Sequence, residues 1–159
     1  MGITVNKETN TMWISGVLVK CTYAPLIKGK DKNGNLRYSE ENYYQFAFAV
    51  SAVDAERVRE DIGATYYGSA EAQYIPKWVK GEESPDENGN IILNFKSRYD
   101  IYYFLGDDRL SYDDLTDRYG GRAPLGSKVT ANIALKDGAM YVKAIRFDEI
   151  KEIKASDFF

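Results

Sequence analysis

Between Ile91 and Tyr103 the chain reads IILNFKSRYDIYY, and the two sides of an extended strand separate cleanly within it. Ile91, Leu93, Phe95, Ser97, Tyr99, Ile101 and Tyr103 share one side, while Asn94, Lys96, Arg98, Asp100 and Tyr102 share the other. A period of two sustained over this length predicts a half-buried β-strand. Its wet face has the chemistry to lie along a polyanion, with Lys96 and Arg98 on phosphates and Tyr102 under a base. The same residues also suit an ordinary solvated strand face.

Other segments repeat the pattern. Met12 to Tyr23 reads as a strand with Trp13, Val17, Val19 and Cys21 on one side, and Gly16 marks a bulge or sharp bend. Asp31-Lys32-Asn33-Gly34-Asn35 is a turn in which Asn-Gly supplies positive φ. The next strand, about Tyr38 to Ser51, points Tyr44, Phe46, Phe48 and Val50 inward and Tyr43 and Gln45 outward. Val53 to Ile62 reads as a short helix with Asp54 as N-cap and Gly63 as its stop. A loop-rich region from Gly68 to Asn90 precedes the Ile91 strand, and an acidic insertion from Gly106 to Gly121 follows it. Lys128 to Leu135, with Val129, Ala131, Ile133 and Leu135 inward, pairs through Lys136-Asp137-Gly138 with Met140 to Ile150. Five bent antiparallel strands, one short α-helix and an extended loop region predict a mainly β protein, a single five-stranded OB-type barrel. A β-sandwich or another small barrel shares the same strand count.

Composition then narrows the chemistry. A chain of 159 residues is long enough for one domain that buries about two-thirds of its unfolded surface. It has no histidine and a single cysteine, Cys21, which removes histidine-based nucleophilic catalysis, intramolecular disulfides and cysteine-cluster zinc sites. No glycine-rich phosphate loop is present. No apolar run near 18 residues and no charged-then-apolar leader occur, so a soluble protein of a reducing cytoplasm is expected. Of the 13 tyrosines some must fill the core, but that many amphipathic rings in a small domain is compatible with a stacking surface.

The net charge of −3 runs against a nucleic-acid role unless charge is segregated. It is: Lys20, Lys28, Lys30, Lys32 and Arg37 face only Asp31, while the acids cluster elsewhere. On an OB barrel the basic tip, Tyr43 and the wet face of the Ile91 strand fall on one groove. The phosphate candidates are therefore Lys28, Lys30, Lys32, Arg37, Lys96, Arg98 and Lys128, and the stacking candidates Tyr38, Tyr43, Trp78 and Tyr102. Lysines at a hairpin tip also keep a strand edge from aggregating, and Trp78 equally suits a ring covering the barrel end. This is binding without catalysis and without a cofactor. Two other classes compete: a Mg²⁺-dependent nuclease using Asp107, Asp108, Asp113, Asp114 and Asp117, and a small-barrel protein-interaction or virion protein.

Four segments taken in order, CTYAPLIKGK, YYQFAFAVSAVDAERVREDI, DENGNIILNFKSRYD and APLGSKVTANIALKDGAMYVKAIRFDEIKEI, resemble the single-stranded DNA-binding replication proteins of short-tailed bacteriophages. The resemblance spans about Lys20 to Ile153. It implies an OB-fold single-stranded DNA-binding domain over residues 1–154 and a short C-terminal aromatic tip over 155–159. It also implies coating of single strands in phage replication and recombination, in the host bacterial cytoplasm, with possible homodimers. Asp157, Phe158 and Phe159 would form the tip that docks onto phage DNA polymerase and helicase–primase. The long acidic run that precedes such tips is absent, since Lys151 and Lys154 interrupt it.

Overall fold

Strands carry more than half of the described residues. A computed structural model describes residues 3–6, 8–67, 76–136 and 138–151. In order, the elements are β1 (Ile3–Asn6), β2 (Thr11–Lys30), β3 (Leu36–Ser51), α1 (Ala52–Tyr67), α2 (Lys77–Lys80) and β4 (Asn90–Ser97). There follow β5 (Tyr102–Leu105), β6 (Asp108–Leu110), α3 (Tyr112–Arg118), β7 (Lys128–Lys136) and β8 (Ala139–Glu149). All eight strands join one mixed sheet, in the order β4-β3-β2-β7-β8-β5-β6, with β1 beside β2. Every pairing is antiparallel except β5 with β8.

The mainly β class holds. The expected five antiparallel strands and one helix are exceeded, because among the described residues there are eight strands, three helices and one parallel pairing. The Ile91 alternation does not stay in one strand. After Ser97 the backbone turns to local partners: Ser97 Oγ donates to Tyr99 O at 2.9 Å, and Asp100 Oδ1 accepts from Ile101 N at 2.9 Å. Such local bonds compete with a ladder. The second half resumes as β5 on another partner, β8.

β2 spans the sheet because its two halves have different neighbours. Thr11 to Val17 pairs with β7, and Val17 to Lys30 pairs with β3. Gly16 sits at the handover, where an added Cβ would lie 2.6 Å from Ala49 O. The bend expected at this glycine is therefore a close backbone approach.

The inward side of β2 differs from expectation. Met12, Ile14 and Leu18 are buried, whereas Trp13 is 57% and Val19 38% exposed, and Val17 faces outward in part. A bulge between Leu18 and Lys20 then shifts the alternation, so Cys21 faces inward as expected. Elsewhere the inward sets hold: Phe46, Phe48 and Val50 on β3, Ile91, Leu93 and Phe95 on β4, and Val129, Ala131, Ile133 and Leu135 on β7.

Two of the turns use one chemistry. In Asp31-x-Asn-Gly-Asn and Asp86-x-Asn-Gly-Asn the aspartate accepts from two backbone N–H groups, at 2.8–2.9 Å and 2.9–3.0 Å, with Gly34 and Gly89 at φ 82 and 77. α1 runs longer than expected, through Gly63, and Ser51 rather than Asp54 caps it, accepting from Asp54 N at 3.2 Å. Its Ala55, Val58 and Ile62 join Trp78 and Val79 of α2 in the core. No helix among the described residues is long and apolar enough to cross a membrane.

Candidate nucleic-acid interface

Because Tyr44, Phe46 and Phe48 point inward, the alternate residues of β3 form an outer surface shared with β2 and β4. Register places Thr22, Gln45 and Lys96 in one row, and Lys20, Ala47 and Asn94 in the next. Tyr43 stands opposite Ala24, at the end where Arg98 leaves β4. Three sequence-derived candidates meet here. Lys96 Nζ lies 5.8 Å and Arg98 Cζ 5.6 Å from the Tyr43 ring centroid. Arg98 also donates to the Tyr43 hydroxyl at 3.3 Å.

That hydroxyl, with Glu41 nearby, raises the Arg98 pKa further above its usual value, so Arg98 is a permanent cation. Its contact with Glu41 is long, 4.0 Å, and both side chains are about two-thirds exposed. An ion pair this exposed contributes little and yields readily to a phosphate. Sequence reasoning did not include Lys20 among the site residues, although Lys20 Nζ donates to Gln45 Oε1 at 3.1 Å on the same face. The signal was its place among the cations before Arg37. An open depression of about 410 Å³, lined by Tyr23, Glu40, Glu41, Asn42 and Arg98, adjoins the tyrosine.

Beyond Tyr43, β2 and β3 continue as a two-stranded ribbon with no third strand beside it among the described residues. β4 pairs with β3 only from Tyr44 onward, and β7 pairs with β2 only up to Val17. Lys28, Lys30, Lys32 and Arg37 cluster toward its end, all exposed. Tyr38 is 55% exposed and faces Ile27, itself 61% exposed. Asp31, the one acid among these cations, is occupied inside the turn.

The remaining candidates separate from this cluster. Trp78 is 2% exposed and its ring packs 5.9 Å from that of Phe95, so it cannot stack a base. Its flanking lysines point to solvent, but the ring is part of the core. Tyr102 is exposed, yet it lies on β5, opposite Ala144, with Arg109 4.7 Å over its ring. Lys128 opposes Val17, which is in register with Ala49, six residues along β3 from Tyr43, or about 20 Å. It is ion-paired with Glu149 at 3.3 Å. Asp157, Phe158 and Phe159 lie outside the described residues.

The acidic insertion has structural employment. Ser111 and Asp114 form a reciprocal cap on α3, and Asp108 meets Arg118 at 3.6 Å. Among the described residues no group of three or more carboxylate or thiol side chains is placed to hold a metal ion. No family model matches the chain, and no curated protein matches its sequence.

Proposed function

We propose that the protein binds single-stranded DNA without catalysis, coating it through phosphate contacts and base stacking on the Tyr43 face. The observation that carries this is the half-buried Tyr43 ring with two cations of the adjacent chain segment over it, Lys96 and Arg98, on a face otherwise lined by Lys20, Gln45 and Asn94. A ring of this kind accepts any base, and the cations neutralise the phosphates on either side. The ribbon carries a second group of cations at its far end, past Glu40 and Glu41.

An OB-type barrel is the finer fold that accompanies this function. What supports it is the sheet order. β4 and β5 are consecutive in the chain and occupy opposite positions along the path β4-β3-β2-β7-β8-β5. Taken as one interrupted strand, they bring the path back on itself with five staves, β2, β3, β4/β5, β7 and β8. The Tyr43 platform then lies on the second and third staves, where such barrels bind oligonucleotides.

Replacing Tyr43 tests the proposal. Tyr43→Ala lowers affinity for an oligo-dT by about 1–3 kcal/mol, and Tyr43→Phe retains most of it, with circular dichroism unchanged in both. Equal affinity of wild type and Tyr43→Ala would remove the platform.

One observation favours a second reading, protein binding. Ile27, Leu36 and Tyr38 are each about half exposed or more on the unsupported ribbon. That reading requires wild type to leave oligonucleotides unbound.

A further inference from the structure

The half of the sheet away from Tyr43 has its own outer face. One row of directly opposed residues crosses four strands there: Trp13 on β2, Asn132 on β7, Ala144 on β8 and Tyr102 on β5. Its two ends are exposed rings, Trp13 at 57% and Tyr102 at 54%. Three strand spacings separate them, about 14 Å. Between the rings lie a small amide and a methyl group. In the adjacent row Ser15 and Thr130 share a hydrogen bond of 3.1 Å, and Arg146 follows on β8.

Charge on this face favours an anion. Arg109 lies over the Tyr102 ring and Lys143 is exposed. Arg146 and Asp148 pair with each other at 2.7 Å, while Arg109 stands in the same row, opposite Phe104. A protein-docking surface would join its rings into one apolar patch. Here Trp13 and Tyr102 stand about 14 Å apart with only an amide and a methyl between them, and Tyr141, 51% exposed on β8, flanks the row, a spacing that receives separate bases of a single strand. The two faces are also connected. Tyr102 follows Arg98 by four residues, at most about 14 Å of chain.

We infer that a single strand bound at Tyr43 and Arg98 continues past Tyr102 to Trp13, which stacks a second group of bases. This rests on the reading that the Tyr43 face binds single-stranded DNA, and adds a path around the sheet. Short oligonucleotides occupy the Tyr43 face alone; only longer ones reach Trp13.

The chain's tryptophans provide the assay. Only Trp13 and Trp78 are present, and Trp78 is buried, so contact with bases quenches Trp13 emission. The full chain is titrated with oligo-dT of about 8 and about 25 nucleotides, following both anisotropy and emission. The inference predicts quenching with the long oligonucleotide, and a loss of about tenfold or more in its affinity for Trp13→Ala. The short one keeps its affinity within about twofold, since its stacking ring is elsewhere. Trp78→Phe, which leaves Trp13 as the sole emitter, is expected to show the same quenching. Long-oligonucleotide binding with unchanged emission and an unaffected Trp13→Ala overturns the path and leaves the Tyr43 platform standing. Equal losses at both lengths also overturn it, since Trp13 then acts through the fold. Failure of wild type to bind either length overturns the platform, and the path with it.

Discussion

Gly16→Ala is the substitution whose cost is most directly set by geometry. The new Cβ would meet Ala49 O at 2.6 Å and Val50 Cγ1 at 3.0 Å. Ordinary contact begins near 3.4 Å, so the carbonyl must retreat by about 0.8 Å. A methyl at the end of a flexible chain could swing aside, but this oxygen belongs to β3 one residue from the buried Val50, in register with Val17. Overpacking of this kind costs about 1–3 kcal/mol. Alanine's smaller backbone entropy loss offsets about 0.5–1 kcal/mol of that. Taking the middle of each range, the net expectation is about 1.3 kcal/mol of destabilisation, or roughly 3–5 °C in Tm for a domain of this size. Urea unfolding followed by far-UV circular dichroism measures it, with unchanged m showing that the comparison is of stability alone. A Gly16→Ala protein as stable as wild type would refute the close approach, and with it the account of how β2 passes from β7 to β3.

Other outcomes follow from single contacts. Arg98→Ala should reduce the slope of log affinity against log salt by about 0.7, while Lys128→Ala, paired to Glu149 and about 20 Å along, should leave it unchanged. Anisotropy at four salt concentrations separates the two. Ser111→Ala removes the side-chain acceptor for Asp114 N and should cost about 1 kcal/mol in urea unfolding. Burial pushes the Cys21 thiol up to about 12, so in the native protein it should resist a thiol reagent at pH 8–9 and react on unfolding. Because the folded thiol pKa exceeds its unfolded value, that contribution to stability is complete below pH 9 and is lost as pH rises toward 12. Prompt labelling of folded protein at pH 8 would contradict the buried position.

Much of the sheet was legible because its strands alternate on one side only. Phe46, Phe48, Leu93, Phe95 and the inward residues of β7 follow directly from period two. β2 misled because Met12, Trp13 and Ile14 are all apolar, so both sides fit a core, and the bulge near Val19 leaves no mark in the alternation. Trp78 misled for a different reason. Its lysine neighbours describe the exposed turn of a short helix, whereas the ring's burial depends on Phe95 of a remote strand. α3 was readable in Ser111-x-x-Asp114, a capping signature inside a segment that drew attention only for its charge. The grouping of Tyr43, Lys96 and Arg98 required knowing which strands pair, and it came from two correct faces placed side by side. Tyr102 shares a sequence alternation with Lys96 but not a strand, since the local bonds at Ser97 and Asp100 end β4 between them.

The most direct test of single-strand binding is the anisotropy of a labelled oligo-dT of about 20–30 nucleotides titrated with the full chain over a range of salt, beside a duplex of equal length. The account predicts tight single-strand binding that weakens steeply as salt rises, and far weaker duplex binding. Absence of single-strand binding at low salt, or equal affinity for the duplex, would contradict it.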